Sequence, residues 1–513
     1  MSDTGFPMEN KPKKRKIPLS WVWVASLALL CAVFAFASVP GAIAQVRDGA
    51  AVASGQREAE NIQRIRRYAA TLQQVFDFIQ RHYVDDVDPR VIFEGAMTGI
   101  FEALGDPYSA FLPETEMRGL NDTTQGVFGG VGLIISQPRR TGPNYVEVSM
   151  PLEGTPGWRA GINPGDLIIA IDGEPTDRLN MDEVLSRLRG HPGTDVNLTI
   201  RRGERLEFPV TLTRAIIEVP TARHAMIGDI GYLRLTSFTP MTANRAAEAI
   251  AYFRANNYQG MILDLRDNFG GLLNAAIDVA SLFLDGGVVV RTRSRIPAEN
   301  QTFSTRRPAV VPHDIPIIVL INRGSASASE IVAGALKDRG RAFLVGETTF
   351  GKGSVQQVYP LLGNVGFRLT TARYVTPNNA VIDGIGIPPD RMVRLPDFAA
   401  ADAADLNRLI NDDLISVFVR DNPNATVAQR DAFARSLATQ YSLDVALIRR
   451  LIRNAQNRTA APVFDLEYDI QLQEAVNILR GGDFQYLLQT AQTLQALQEE
   501  LLRLREEEEA AAS

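Results

Sequence analysis

The chain has 513 residues, of which 45% are hydrophobic, and this is enough for two to four folded domains. Its formal net charge of −6 gives no support for a nucleic-acid partner. The single cysteine, Cys31, lies in an N-terminal apolar segment, which excludes a disulfide framework and a cysteine nucleophile from the rest of the chain. The four histidines belong to no HExxH or paired-cysteine pattern, so we expect no metal ion and no other cofactor.

Residues 1–45 have the pattern of a signal peptide or an N-terminal membrane anchor. A basic stretch at 11–16 precedes an apolar run at about 19–39, and an Ala-Ile-Ala sequence at 42–44 could be cut by a signal peptidase. The apolar run is also nearly long enough to span a bilayer, so cleavage and anchoring both stay open. Either outcome places the remainder in the periplasm or cell envelope, with membrane contact if the segment is retained.

Residues 57–121 are predicted to form an N-terminal helical region, after a small polar linker at 46–56. Apolar residues recur at three- and four-residue spacing at 68–79 and again at 91–100, as they do on one face of a helix. We expect two to four helices that pack together as a small module. A contact between two copies of the chain is a further hypothesis that no residue pattern supports.

Residues 124–214 are richer in glycine and in strand patterns. A glycine-rich loop at 129–132 runs into an apolar strand, a turn-rich segment follows at 161–166, and a helix is predicted at 181–189. This order resembles a PDZ domain of the bacterial, permuted kind. The resemblance implies that the loop holds a terminal carboxylate and that the strand pairs with an extended peptide. The implied peptide-binding residues are Gly129, Gly130, Val131, Gly132, Leu133 and Ile134. A glycine-rich turn without a ligand is the alternative.

Residues 215–395 alternate strands with helices, which is typical of an α/β domain. Strands are predicted at 231–235, 260–265, 315–321, 342–345 and 367–373, and helices at 242–256, 273–284 and 330–337. In such folds, ligands and chemistry occupy the turns after the strands, where Gly270, Gly271 and a serine-rich loop at 324–329 are found. Residues 396–513 are predicted to be a helical C-terminal region with a role in packing or assembly. It ends in a solvated Glu-rich helix.

The serine-rich loop and a lysine between two glycines at 351–353 suggest nucleophilic catalysis. A serine hydroxyl is a poor nucleophile at neutral pH unless a base takes its proton. Lysine serves as that base only when burial lowers its pKa, and the apolar residues at 343–345 favour such burial of Lys352. Composition alone does not choose among Ser325, Ser327 and Ser329.

Three motifs together resemble those of the C-terminal processing peptidases, also called tail-specific proteases. They are DLRDNFGG at 264–271, GSASASE at 324–330 and GETTFGKGSVQ at 346–356, in the family's order and behind a PDZ unit. The resemblance covers about residues 60–395. It implies an α/β fold, with a crotonase-like protease core, an inserted PDZ domain and flanking helical segments.

The resemblance also implies a role for each site residue. Ser327, the middle serine, is the implied nucleophile, and Lys352 is the implied general base that later returns the proton to the leaving amine. Gln356 is implied to orient the lysine through its neutral amide. Because Lys352 and Gln356 are four residues apart, we interpret them as lying on the same side of a helical turn. An ordinary polar surface residue is the alternative for Gln356.

Backbone N–H groups are implied as donors to the oxyanion of the tetrahedral intermediate. They belong to Ala328 and to the Gly-Gly turn, with Gly271 preferred and Gly270 left open. Phe269 stands where the family often has a glycine, and because it precedes the donor we expect it to be tolerated. Arg189 is at a position where some members couple PDZ docking to activation, and a helix-end arginine is the alternative.

We therefore expect a serine endopeptidase that captures protein or peptide substrates by their free apolar C-termini. An adaptor or activating partner and an oligomeric state stay open. A catalytically silent PDZ adaptor is the alternative, and the intact Ser327, Lys352 and Gln356 argue against it. A Ser-His-Asp protease would need a double β-barrel, which the βα alternation around Ser327 does not match. No sequence pattern indicates the acyl-thioester pocket of another crotonase-like enzyme.

Overall fold

The computed structural model describes residues 60–117, 127–137, 144–203, 205–395, 400–456 and 463–512. The predicted signal or anchor segment at 1–45 lies outside these ranges. The chain divides into two compact units, Met1–Met97 and Thr98–Ser513. Within the described ranges, no helix is long and apolar enough to cross a membrane. The same ranges hold no group of three or more His, Cys, Asp or Glu side chains that could bind a metal ion.

The first unit is helical in its described part. One helix occupies residues 60–82, and a second, Pro89–Glu102, begins before the unit ends. Within the predicted stripe at 68–79, Tyr68, Leu72 and Val75 are between 51% and 63% exposed, whereas Phe76 and Ile79 are half-buried. The helical periodicity was therefore predicted correctly, but the expectation of packing within a small module is wrong for Tyr68, Leu72 and Val75.

The part of the second unit that is predicted to be a PDZ domain, residues 124–214, is built on an antiparallel sheet. Its strands in spatial order are Leu133–Ser136, Val146–Pro151, Leu167–Ile171, Asp195–Arg202 and Leu206–Thr213, and Glu174–Pro175 pairs with the third of them. The helices Pro156–Arg159 and Met181–Leu188 accompany the sheet. Asn180 begins the longer helix in a reciprocal capping box with Glu183, and Val184 and Leu188 pack into the apolar cluster of the sheet. Before and after this sheet, Val127–Gly130 and Ala215–Glu218 pair with each other.

A six-stranded sheet forms the centre of the second unit. Its strands in spatial order are Ala222–Ile227, Ile230–Leu235, Gly260–Asp264, Ile317–Ile321, Phe343–Gly346 and Arg391–Met392. The first pair is antiparallel and the others are parallel. Every residue of Gly260–Asp264 and Ile317–Ile321 is buried, because helices cover both faces of the sheet. Thr242–Ala255, Leu273–Ala280 and Ala328–Asp338 cover one face, and Ile470–Arg480 covers the other.

A second sheet stands beside the first and carries the strand that follows the lysine loop. It contains Ala110–Leu112, Gly366–Val375, Val288–Ser294 and Thr302–Ser304 in spatial order, and Ser354–Pro360 also pairs with Gly366–Val375. The sequence pattern predicted only one of these five strands, at 367–373. Through this sheet, the segment around residue 110 comes close to the lysine loop.

The C-terminal region is helical and falls into two groups. Ala400–Asn411, Leu414–Asp421, Val427–Tyr441 and Val445–Gln456 surround an apolar cluster of their own. Ile470–Arg480, Phe484–Thr490 and Leu494–Ala512 belong to the core. Arg266, in the turn after a core strand, forms a buried ion pair with Asp264 and a second one with Asp469, each at 2.6 Å. The last three helices therefore complete the core rather than flank it.

Candidate active site

The serine-rich loop joins the buried strand Ile317–Ile321 to the helix Ala328–Asp338. Two of its three serines are fully buried and support the loop. Ser325 Oγ donates to the carbonyl of Leu265 at 2.8 Å, and Ser329 Oγ donates to the carbonyl of Asn268 at 2.8 Å. Ser327 is half-buried. Of the three hydroxyls, only that of Ser327 can therefore be reached by a substrate.

Ser327 has a strained backbone. Its φ is 55° and its ψ is −111°, a combination that residues with a side chain rarely adopt. The residue stands immediately before the helix, at the end where backbone N–H groups favour negative charge. A sharp strand-to-helix turn of this kind exposes the hydroxyl of a nucleophilic serine.

Glu330 connects the serine loop to the lysine loop. Its buried carboxylate accepts four hydrogen bonds: one oxygen from the Thr349 hydroxyl at 2.5 Å and the Gly351 N–H at 2.7 Å, the other from the N–H groups of Ser327 at 2.8 Å and Lys352 at 2.9 Å. Burial raises the pKa of this carboxyl, and the four hydrogen bonds act in the opposite direction. The sequence reasoning gave Glu330 no role, although Ser-x-x-Glu before a helix is a capping signal that could have found it.

Lys352 is half-buried beside the serine loop. Burial lowers the pKa of its amine, the positive charge of Arg368 lowers it further, and Glu330 opposes both. Its Nζ lies 4.8 Å from the centroid of the Tyr108 ring and has no hydrogen-bond partner in the described part of the chain. The structure thus brings Lys352 and Ser327 to one site while the ammonium rests on an aromatic face. Sequence motifs gave no indication of Tyr108 or Arg368, because the fold brings both from distant segments.

Gln356 lies in the strand Ser354–Pro360, so the interpretation of a helical turn between Lys352 and Gln356 is wrong. The pairing of this strand with Gly366–Val375 shifts register between Val355 and Gln356, so the four-residue spacing does not by itself set the direction of the glutamine side chain. The Gln356 amide donates to Ser354 Oγ at 2.8 Å and to Thr370 Oγ1 at 3.4 Å. Among the described residues its amide oxygen has no partner, which leaves that oxygen for the lysine amine.

The backbone N–H groups near Ser327 differ in availability. The N–H of Gly270 donates to Asn268 Oδ1 at 2.9 Å, whereas those of Gly271 and Ala328 have no partner within the ranges that the structure covers. A Cβ added to Gly270 would lie 2.8 Å from Ser327 Cβ, so the Gly-Gly turn packs directly against the serine loop. Gly271 and Ala328 are therefore the two unengaged donors beside Ser327, and Gly270 is already occupied.

Replacing Gly271 with alanine should disrupt the turn. Gly271 has a φ of 146°, and an added Cβ would lie 2.2 Å from the Phe238 carbonyl oxygen. We expect Gly271→Ala to lower kcat by about 100-fold or more, the effect of losing one oxyanion donor, with a smaller change in KM. Steady-state kinetics would measure both. Phe269→Gly is the matched control, because Phe269 is 78% exposed, and an equal loss there would contradict this role for Gly271.

A groove of about 190 Å³ lies in the PDZ part, between Leu133–Ser136 and Met181–Leu188. Gly132 has a φ of 72°, and an added Cβ would lie 2.2 Å from the Thr155 Cβ, so the loop requires glycine there. The Arg189 guanidinium lies 4.7 Å from the centroid of the Phe128 ring at the same groove. Five of the six predicted peptide-binding residues line this groove together with two leucines of the helix, and the lining residues are Gly130, Val131, Gly132, Leu133, Ile134, Leu185 and Leu188. The remaining predicted residue, Gly129, lines a neighbouring cavity.

Three family patterns match the chain. Peptidase family S41 matches residues 229–393, the PDZ domain matches residues 147–202, and the activating protease CtpB N-terminal domain matches residues 29–115. The carboxy-terminal-processing protease of Bartonella bacilliformis is 39% identical over 341 residues, which cover 66% of this chain and 77% of that protein. The carboxyl-terminal-processing protease of a Synechocystis species is 40% identical over 309 residues, which cover 59% and 71%. The solved photosystem II D1 C-terminal processing protease is 29% identical with a TM-score of 0.38, and the match covers 63% of this chain and 92% of that one.

Proposed function

Since the chain belongs to the C-terminal processing peptidase family and is a serine-type peptidase with a PDZ domain, we propose that it cleaves proteins with free apolar C-termini by a Ser327–Lys352 mechanism. One observation carries this proposal. An accessible serine at a strained helix start and a lysine of lowered pKa are tied to the same buried carboxylate, Glu330. The peptidase assignment disfavours the catalytically silent adaptor.

Acylation begins when neutral Lys352 takes the proton of Ser327 Oγ as the hydroxyl attacks the scissile carbonyl. For this step, the amine leaves the face of Tyr108 and approaches Ser327 Oγ, with the amide oxygen of Gln356 accepting one of its N–H bonds. The oxyanion that forms accepts from the N–H groups of Gly271 and Ala328. Protonated Lys352 then gives its proton to the leaving amine, and the N-terminal part of the substrate stays on Ser327 as an ester.

Deacylation repeats the sequence with water as the nucleophile. Lys352, neutral again, removes a proton from the water as its oxygen attacks the ester carbonyl, and the same two N–H groups receive the second oxyanion. Collapse of this intermediate returns the proton to Ser327 Oγ and releases a new carboxylate. Each cycle hydrolyses one peptide bond, and every proton transfer in it is carried out by Ser327, Lys352 or water.

The PDZ groove would hold the end of the substrate. Extended peptides pair with an open strand edge, while adjacent backbone N–H groups take the terminal carboxylate. The strand Leu133–Ser136 pairs on one side with Val146–Pro151, and its other side faces the groove. The aliphatic lining from Leu185 and Leu188 suits an apolar side chain at the last position of the substrate.

We place the activity outside the cytoplasm, in the periplasm or cell envelope. Support comes from the basic stretch at 11–16, the apolar run after it and the small residues at 42–44. The match of residues 29–115 to the N-terminal domain of an activating protease adds an activating partner as a further part of the proposal.

The proposed function can be tested with two substrates that differ only in their C-terminal group, which is a free carboxylate in one and an amide in the other. A partly unfolded protein with an apolar tail and a free carboxylate should be cleaved about 10- to 100-fold faster, in kcat/KM, than the same protein amidated at its C-terminus. This is the range for losing charge-assisted hydrogen bonds. Leu185→Glu should slow the free-acid substrate more than the amide, because both substrates lose an apolar contact and only the free acid also meets like-charge repulsion. Equal cleavage of the two substrates by the unaltered protein would contradict recognition of the C-terminus.

A further inference from the structure

A short turn from the beginning of the second unit reaches the proposed base. Asp106 organises it, because one carboxylate oxygen accepts from the Tyr108 N–H at 3.0 Å and the other accepts from Ser109 Oγ at 2.6 Å. Ser109 Oγ in turn accepts from the N–H of Thr370 at 3.0 Å. The strand Ala110–Leu112 then pairs with Gly366–Val375, with Ala110 opposite Arg368. The residues that follow Tyr108 are therefore fixed to the sheet that carries Gln356, and Asp106 holds Tyr108 within the same turn.

The ring of Tyr108 is the group that receives the Lys352 amine. The distance of 4.8 Å from Nζ to the ring centroid is within the range of a cation–π contact. In the part of the chain described, Nζ has no hydrogen-bond partner that would compete with this contact. A ring face attracts the ammonium form and offers little to the neutral amine, so the contact favours the protonation state that cannot act as a base.

We propose that Tyr108 is a positioning residue for Lys352, whose ring holds the protonated side chain away from Ser327 and so sets the pH at which the base becomes available. This inference rests on the proposed Ser327–Lys352 mechanism for its kinetic consequence. Its structural part, the pairing of a ring with an ammonium group, does not depend on catalysis.

Four charged groups surround the pair and define its electrostatics. Arg368 and Glu330 face Lys352 from Gly366–Val375 and from the helix Ala328–Asp338, and Asp106 and Asp383 face Tyr108. Burial and these acidic neighbours raise the pKa of the Tyr108 phenol, so it stays protonated at neutral pH and binds the lysine through its ring rather than as a phenolate. Arg368 repels the ammonium and Glu330 attracts it, and both are unchanged when only residue 108 is altered.

The sign of the effect follows from the state that the ring favours. Removing the ring while keeping apolar bulk takes a stabilising partner from the ammonium, so the pKa of Lys352 falls. The acid limb of the kcat/KM profile should then move to lower pH by roughly 0.5 to 1 unit in Tyr108→Leu. Tyr108→Phe keeps the ring face and should leave the limb in place. Pentafluorophenylalanine at position 108 has a ring of similar size whose face repels the ammonium, so it should move the limb at least as far as leucine does.

The experiment uses the full chain and two measurements on each variant. The first is the pH profile of cleavage of the free-acid substrate. The second is the pH dependence of acetylation of Lys352 by an amine-directed succinimidyl ester, read by peptide mass spectrometry. Beyond residue 45 the sequence has only two lysines, Lys337 and Lys352, so the labelled peptides are easily distinguished. The Lys337 side chain is 4% exposed and pairs with Asp390, so it should stay unlabelled while the chain is folded and serves as the control for an intact fold.

The proposal predicts downward shifts of both midpoints in the leucine and pentafluorophenylalanine variants and none in the phenylalanine variant. It is overturned if all three labelling midpoints match that of the unaltered protein. It is also overturned if phenylalanine shifts the midpoint as much as leucine does, since the hydroxyl rather than the ring would then be responsible. A labelling shift in a chain that cleaves nothing at any pH would support the contact between ring and ammonium and refute the proposed peptidase mechanism instead.

Discussion

Replacing Lys352 with alanine should lower kcat/KM about 10⁴- to 10⁶-fold, the size of effect seen when a serine peptidase loses its nucleophile or its base. Lys352 is the group at the site with a pKa lowered by burial, and its loop is bonded to the nucleophile loop through Glu330. Ser327→Ala should cause a loss of the same size. The double variant should be no worse than either single variant, because the two residues act as one unit. Initial rates on the free-acid substrate would measure all three.

Lys352→Arg is the sharper control for this prediction. Arginine keeps the positive charge but does not release its proton near neutral pH, so it cannot act as a base. The arginine form should be as inactive as the alanine form, while circular dichroism shows an unchanged fold. Substantial activity in Lys352→Arg would mean that the site needs only a cation. A larger loss in Ser329→Ala than in Ser327→Ala would move the nucleophile to a serine that is buried in this structure.

The second large effect is expected at Glu330. All four groups that face its carboxylate are donors, so an amide at this position must direct its NH₂ toward at least one of them. Glu330→Gln should lower the free energy of unfolding by about 3 kcal/mol, since buried donors lose their acceptor. It should also lower kcat about 10²- to 10³-fold, because the serine loop and the lysine loop lose their common anchor. Urea denaturation and steady-state kinetics would measure these two quantities.

A readout specific to the site accompanies this prediction. Glu330 opposes the lowering of the Lys352 pKa, so removing its charge should move the acid limb of the remaining activity to lower pH. A purely structural defect would reduce activity at every pH and leave the limb where it was. Thr349→Val is a milder comparison that removes one of the four hydrogen bonds and keeps the carboxylate. If Glu330→Gln retained full activity, the two loops would have to be held together by other contacts.

The sequence predicts the two catalytic loops better than it predicts the burial and the hydrogen bonds around them. The motifs around Ser327 and Lys352 are local, so their spacing indicates the loops and the kind of reaction. The pattern of residues alone does not distinguish the three serines of the loop. The fold distinguishes them, because Ser325 and Ser329 are buried and donate to carbonyls of the neighbouring turn. Likewise, Gly270 differs from Gly271 because its N–H donates to Asn268 Oδ1, whereas the N–H of Gly271 has no partner among the described residues.

Other features depended on pairings between distant segments. Tyr108 reaches Lys352 only because Ala110–Leu112 joins a sheet whose other strands lie beyond residue 287. The strand Ser354–Pro360 was mistaken for a helical turn because a four-residue spacing fits both periods. The stripe on the helix at 60–82 has clear helical periodicity, but periodicity does not indicate whether a partner surface covers it.

The attachment of the last helix to the core also bears on when this peptidase can become active. Gln498 donates to the carbonyl of Gly386 at 2.8 Å, and the next residue, Ile387, donates its N–H to the Thr349 hydroxyl that bonds Glu330. The helix Leu494–Ala512 lies far downstream of the lysine loop, so a chain that has been synthesised only as far as that loop lacks this support. A nascent copy therefore carries both reactive side chains before it carries the helix that supports their common anchor, and this order delays the assembly of a working site during synthesis.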